Sequence, residues 1–342
     1  MSSLRVLHLA GSSVSEFYYN LSMLYAQKVL QPPGVESYYA VVHPNRLWQL
    51  GASLDHLSGK MPLSEMISQL PKIDVVVPHL FCFPGMTSFR GFFEDILGLP
   101  VVGSPAHCTA IASNKAQTRN IVAERGVPVA KAQPVRLGET VTMQPPFIVK
   151  PNSEDNSLGL TLVKTDDEIA EALRKGFEFD ETLLVEDYIP GRELRVGVIE
   201  RGEELYVPSM IEYLFPKDHT IRTVHDKYDL QADGTPARQP EKPVAKPQCP
   251  AQVTPELFQK IADAAKKAHL ALGCRDYSLF DFRVHEQTGI PYLLEAGLFW
   301  SFGEISMISR MLLADGEPLE EIVYEVWQKA SQRTRVPCAS QF

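Results

Sequence analysis

"YSLFDFRVHEQTGIPYLLEAGLFWSF", residues 277–302, sets Asp281 in the middle of one apolar run and Glu295 in the middle of the next. Each run has the length of a strand, and the polar "EQTG" between them reads as a turn. Alternation along the first strand puts Leu279, Asp281 and Arg283 on one face. A carboxylate buried alone is costly, so it is normally paired, hydrogen-bonded or bound to a metal. Two acids on neighbouring strands therefore call for a cation. Hard divalent ions such as Mg2+ prefer carboxylate oxygens and share them with substrate phosphates. The competing reading is a structural salt bridge from Arg283 to Asp281; it accounts for one acid and leaves the second unexplained.

Upstream of this pair the chain alternates strand and helix patterns. "LRVLHLAGSS" reads as a buried strand entering a Gly/Ser turn, and "SEFYYNLSMLYAQKVL" has helical spacing. "ESYYAVVHP", "IDVVVPHLF" and "LPVVGSP" are short apolar runs ending in turn residues. This alternation predicts an open parallel sheet up to about residue 104. "TAIASNKAQTRNIVAERG" follows as a helical segment ended by Gly126, and "DDEIAEALRKGF" as a helix between two strand-rich stretches. Residues 231–255 hold six prolines and almost no apolar periodicity, which predicts a long loop of a functional or mobile kind. The remainder returns to a helix, the two acid-bearing strands and a closing helix.

Composition limits the function. The 342 residues are 44% hydrophobic and 22% charged, enough to bury the cores of two or three compact units. A net charge of -9 disfavours nucleic acid or an anionic membrane as the main partner and leaves small molecules. Five scattered cysteines without a CxxC suggest neither zinc nor a disulfide framework. The start "MSSLRVLHLAG" is too short for a signal peptide and no run reaches spanning length, so a cytoplasmic protein is expected.

Two more stretches carry chemistry. In "VKPNSEDNSLG", Lys150 ends a strand and a turn of small residues leads to Gly159; backbone N-H groups in such a turn and an ammonium beside them suit phosphate oxygens. A surface hairpin with an exposed lysine fits those residues equally well. In "LLVEDYIPGREL", Glu186 and Glu193 bracket a segment able to bind an adenine edge and ribose hydroxyls, against a solvated turn, which is the commoner outcome for such a stretch. The chain lacks the GxxxxGK[ST] phosphate loop and the GxGxxG dinucleotide fingerprint.

Taken in order, these features resemble an ATP-grasp ligase of the D-alanine-D-alanine ligase type over nearly the whole chain. The matching stretches are "SNKAQTR", "FIVKP", "EDNSLG", "VEDYIPGREL", "HDKYDL", "GCRDYSLFDF" and "YLLEA". The resemblance implies an α/β fold, α+β in its ATP-grasp part, in three domains: an N-terminal open parallel sheet (1–104), a central subdomain (105–186) and a C-terminal subdomain (187–342) with a mobile lid at 216–254. It implies ATP with one or two Mg2+. Lys115 and Lys150 would hold phosphates covered by Asn156, Ser157 and Gly159. Glu186, Asp187, Tyr188 and Ile189 would form the adenine hinge, with Glu193 on ribose. Lys227, with Tyr228 beside it, would approach the transferred phosphate, and Asp281 and Glu295 would hold Mg2+. Glu16 and Ser157 would orient substrate and phosphate loop, His79 and Ser306 would bind substrate, and the family is often dimeric.

This chain departs from the family pattern at three places. Leu279 stands where the family has an arginine that stabilises an oxyanion, and Arg283, on the same face, is the candidate replacement. Gly297 stands where an asparagine completes a second metal site. Phe299, Trp300 and Phe302 follow where small residues usually line the amino-acid pocket, so a pocket for a larger planar acceptor is expected, against ordinary core packing. With these departures the chain is similar to the ligases of mycosporine-like amino acid biosynthesis, which join threonine or serine to mycosporine-glycine; a D-alanine-D-alanine or other dipeptide ligase is the alternative.

Overall fold

The computed structural model describes residues 3–154, 157–216, 220–222, 229–230, 236–238 and 244–333. The chain divides into two compact units, Met1–Thr109 with Phe299–Phe342, and Ala110–Leu298. The C-terminal end thus differs from the expected 187–342 subdomain: from Phe299 onward the chain packs with the N-terminal sheet. The division at 104/105 and 186/187 stands as a proposal.

In the first unit, β1 (Leu4–Gly11), β2 (Val35–Val42), β3 (Trp48–Ser53), β4 (His56–Leu57) and β5 (Val75–Pro78) form a sheet of order β4-β3-β2-β1-β5. The β1-β2 and β1-β5 pairs are parallel, but β2-β3 and β3-β4 are antiparallel, so the expected parallel sheet carries an antiparallel edge. Two-residue periodicity explains its faces. Leu7 and Leu9 enter a core with Trp48, Met66, Val76 and Phe93. His8 points to the other face, stacked on Tyr39 and edge-on to Trp327 of the helix Leu319–Ser331.

The second unit holds two larger antiparallel sheets and a two-stranded ladder among the described residues. The smaller of the two sheets joins β6 (Ala132–Arg136), β7 (Phe147–Pro151), β8 (Thr161–Val163) and β9 (Thr182–Asp187) in the order β6-β9-β7-β8. Phe147 and Val149 of β7 and Leu183 and Val185 of β9 pack under the amphipathic helix Ile169–Gly176, which turns Ile148, Lys150, Leu184 and Glu186 to the opposite face.

The larger sheet contains β10 (Gly191–Arg201), β11 (Glu204–Tyr206), β12 (Ile211–Leu214), β15 (Lys246–Gln248), β16 (Tyr277–His285) and β17 (Pro291–Gly297), ordered β15-β12-β10-β16-β17 with β11 on β10. β13 (Asp229–Leu230) and β14 (Pro236–Arg238) form a ladder of their own. Residues 231–255, expected as loop, therefore contain strand at β14 and β15, the latter in register with β12 through Glu212↔Gln248 and Leu214↔Lys246. Backbone pairing at an edge needs no apolar periodicity, which is why the proline-rich composition concealed it. The helix Pro255–Leu272 begins at the N-cap Thr254 and ends at Gly273 in the left-handed region. Its His269 meets Ser278 at 2.8 Å, so Ser278, Phe280 and Phe282 face the helix and Leu279, Asp281 and Arg283 face away. No helix among the described residues is long and apolar enough to cross a membrane.

Candidate active site

One cavity in the second unit gathers most of the expected residues. Lys115, Lys150, Ser157, Glu186, Asp187, Tyr188, Ile189, Glu193, Asp281, Arg283 and Glu295 all line it, together with Arg222.

Lys115 owes its place to a break in what the sequence presents as one helix. The helices are Ala106–Ala112 and Lys115–Glu124, because Asn114 caps the second through its side chain and Asn152 accepts from the Lys115 and Ala116 backbone N-H groups. The cap fastens the Lys115 helix to the end of β7, and the Lys115 ammonium donates to the Glu154 carbonyl of the turn that follows. Within that turn Ser157 and Gly159 both have positive φ (61° and 67°). A Cβ on Gly159 would come within 2.9 Å of Phe179 and Pro151, so the turn needs glycine there. Asn156, Lys227 and Tyr228 lie outside the described residues.

Lys150 pairs with Glu186 at 2.5 Å, both under 9% exposed, and reaches the Leu294 carbonyl at 3.5 Å. Leu294 is the extra residue of a bulge: Asp281 opposes Glu295 while Phe282 opposes Leu293. The bulge frees a carbonyl for the lysine and aligns the two acids on one face. Gly191, at φ 137°, lets β10 pass the Val284 carbonyl, which a Cβ would meet at 2.0 Å.

The register places Glu193, Arg195 and Gly197 of β10 opposite Arg283, Asp281 and Leu279 of β16. Asp281 is 3% exposed and receives a bidentate pair from Arg195 at 2.6 and 2.5 Å and a further contact from Arg222 at 3.2 Å. Glu193 lies 3.2 Å from Arg283 and 3.3 Å from Arg222, whose guanidinium covers the Tyr213 ring at 3.8 Å. Burial works against the Arg195 charge, but Asp281, Tyr213 and Glu295 outweigh it and hold its pKa well above the ordinary guanidinium range. Glu295 makes no ion pair within 4 Å among the described residues.

Part of the cation demanded by the two acids is thus the protein's own. Arg195 was accessible to reasoning: "ELRVGV" continues the alternation from Glu193, and a mid-strand arginine needs a partner. Arg222 carries no periodic signal. Arg283, expected near Leu279, lies on the far side of Asp281 and donates instead to Glu193, to Tyr188 at 3.4 Å and to the Thr220 carbonyl at 2.6 Å. That expectation is corrected, because the opposing row gives Arg283 an acid of its own.

The remaining candidates belong to the first unit. Trp300 is 2% exposed, stacked on Phe302 at 4.8 Å, and its indole N-H donates to Ser309. It is a core residue and not a pocket wall, a correction that the hydrogen-bonded indole makes clear. Phe299 is half-buried against Phe81. Ser306 caps the helix Met307–Ala314 and touches the Ser309 hydroxyl at 2.8 Å. Glu16 is exposed in the first turn of the helix Glu16–Ala26. His79 is buried against His8 at 3.0 Å, and burial lowers its pKa to about 3.

The family model described as D-ala D-ala ligase C-terminus matches residues 120–328, which span every strand lining the cavity. The chain belongs to the D-alanine-D-alanine ligase family. The D-alanine-D-alanine ligase of Geobacter sulfurreducens is 32% identical over 238 residues, covering 68% of this chain and 69% of that protein. That of Geotalea uraniireducens is 29% identical over 249 residues, covering 71% and 74%. Among solved structures, the D-alanine-D-alanine ligase from Coxiella burnetii superposes with a TM-score of 0.78 at 18% identity over 97% of this chain and 95% of its own. The VanG D-Ala:D-Ser ligase from Enterococcus faecalis gives 0.78 at 19%, over 96% and 100%. At that identity the likeness is one of fold, the ATP-grasp fold. D-alanine-D-alanine ligases are ATP-dependent enzymes that form C-N bonds with the help of Mg2+, and this chain is a ligase of that type.

The residues present fit both groups. One buried donor, Arg283 Nε, finds no acceptor among the described residues, as expected of a lining built for an oxygen-rich ligand. Glu295, without an ion pair among the described residues and in register with Asp281, offers hard oxygen to a divalent ion. Asp281 and Glu295 would give that ion two carboxylates, and Gly297 adds no side-chain donor.

Proposed function

We propose that this ligase uses MgATP to activate an oxygen of an acceptor and then joins that acceptor to the amine of an amino acid, as a dipeptide ligase acting on D-alanine or a related amino acid. The observation that carries the proposal is the meeting, in one cavity, of Lys115, Lys150, the positive-φ turn at Ser157–Gly159 and the facing acids Asp281 and Glu295. ATP supplies the phosphoryl group and Mg2+ spreads its charge. The protein's share is placement. Lys115 and Lys150 fix phosphate oxygens, the turn presents backbone N-H groups, Asp187 to Ile189 offer hinge backbone, and Asp281 and Glu295 hold the ion. Glu193, held by Arg283 and Arg222, would accept from a ribose hydroxyl.

A second reading is favoured by Leu279 and Gly297, which face each other across β16 and β17 with Gly197 on the third strand. That row offers neither guanidinium nor amide. It suits an acceptor whose activated oxygen is a ring carbonyl, as in mycosporine-glycine condensing with threonine or serine; the burial of Trp300 and Phe302 removes one argument for it.

Phosphate release separates the two. With ATP, Mg2+ and D-alanine alone, release of phosphate with formation of the dipeptide supports the first reading. Release only with mycosporine-glycine and threonine or serine supports the second. Failure to bind ATP under any ionic condition overturns both.

A further inference from the structure

The bidentate contact between Arg195 and Asp281 sets a physical conflict with the ion that this carboxylate is proposed to hold. A guanidinium 2.6 and 2.5 Å from the two oxygens and a divalent ion on the same oxygens would repel each other at close range. The sheet offers the guanidinium an alternative. The neighbouring row of the same face is Gly197, Leu279 and Gly297, and a Cβ placed on Gly297 would meet nothing nearer than Leu279 at 3.9 Å. Arginine is long enough to cross one row of a sheet, and Leu279 is the one side chain in that row, between two glycines.

Resting on the ATP-dependent reading above, we infer that Arg195 is an exchangeable counter-ion: it pairs with Asp281, yields it to the divalent ion, and swings over the glycine row to face the anion on the reacting acceptor. Arg222 and the Tyr213 ring it covers stay behind as the fixed side of the site. The exchange gives this chain a guanidinium beside Leu279, supplied from β10. It also explains why an arginine stands mid-strand between Glu193 and Gly197, where an apolar residue would satisfy the strand.

Mn2+ binding followed by electron paramagnetic resonance, with and without a non-hydrolysable ATP analogue, tests the exchange apart from turnover. Arg195→Met removes the competitor, so Mn2+ is expected to bind at least about tenfold more tightly. Turnover is expected to fall roughly a hundredfold, the usual loss of one preorganised donor, with KM for ATP little changed. Leu279→Arg added to Arg195→Met returns a guanidinium to the glycine row and is expected to recover part of kcat. Unchanged or weaker Mn2+ binding in Arg195→Met overturns the inference, since a merely structural arginine would lose Asp281's geometry when removed. Should Arg195→Met fail to fold, Arg195→Lys, a weaker competitor with a point charge, is expected to tighten Mn2+ binding and lower kcat, and unchanged values for both overturn the inference equally. A wild-type protein that binds neither Mn2+ nor the analogue sinks the ATP reading itself, whereas normal analogue binding with no exchange sinks the inference alone.

Discussion

Lys150 and Glu186 form a buried ion pair whose two members face different tasks: each neutralises the other, and the lysine is also proposed to hold phosphate. Removing one partner leaves an uncompensated buried charge, at a cost of about 3–5 kcal/mol. Lys150→Met is therefore expected to lower the midpoint of chemical unfolding sharply, while the double variant Lys150→Met/Glu186→Met regains most of it. Nucleotide affinity, measured by calorimetry, should stay lost in both. Recovery of binding in the double variant would show that the lysine serves the fold only. This pair was half legible: "FIVKP" alternates, so Phe147 and Val149 had to oppose Ile148 and Lys150, but the facing glutamate is chosen by the β7-β9 register. The partner of Arg195 is hidden for the same reason, since that acid is 86 residues away in sequence. A single chain shows periodicity; it does not show which strand lies beside which.

Elements revealed themselves where punctuation was strong and misled where it was weak. The helix Pro255–Leu272 opens on Thr-Pro and closes on Gly273, and its bounds could be read directly. The stretch from Ala106 to Glu124 reads as continuous because Ser113-Asn114 is mild punctuation, yet Asn114 starts a new helix and so positions Lys115. Ser306 was read for its possible partner outside the fold, and the structure gives it one inside: the Ser309 N-H of the helix it caps. Ser306→Ala is expected to cost about 1 kcal/mol. In a unit of this size that lowers its melting temperature by roughly 2–4 °C. Ser306→Asn, which retains a capping oxygen, should restore it, as followed by calorimetry; a melting temperature untouched by Ser306→Ala would show that the cap contributes nothing. The aromatic run Phe299 to Phe302 shows the limit from the other side, since a stacked core pair and a pocket wall have the same composition.

At the scale of the molecule, the three tryptophans, Trp48, Trp300 and Trp327, all belong to the first unit, so indole fluorescence reports the unfolding of that unit. The same unit buries His8 against His79, with Ser37 on the far nitrogen of His8. Burial, and then the neighbouring imidazole, pushes His8 well below its usual range, and burial takes His79 to about 3. Both rings are neutral in the fold and take up protons on unfolding, near pH 6.5. Their contribution is therefore complete above pH 6.5 and is lost as pH falls from there toward 3. With both unfolded rings charged the slope approaches about 2.7 kcal/mol per pH unit. Urea midpoints read by tryptophan emission should drop clearly between pH 7 and pH 5, above the range in which most carboxylates titrate; equal midpoints would mean that the pair carries charge in the fold. Length and composition made two or three units foreseeable, whereas the return of the chain's end to the first unit was not, because chain order says nothing about which core a terminal helix joins.

The ladder between β12 and β15 fixes both ends of the intervening stretch to one sheet edge. For a segment anchored in this way, closure entropy grows only with the logarithm of its length, by about 0.6 kcal/mol per doubling. Length changes between Leu214 and Lys246 therefore carry little entropic penalty for the sheet so long as Arg222 keeps its place against Asp281 and Glu193. Diversification of what this ligase accepts has an inexpensive place to happen, on a cassette whose hems are already sewn.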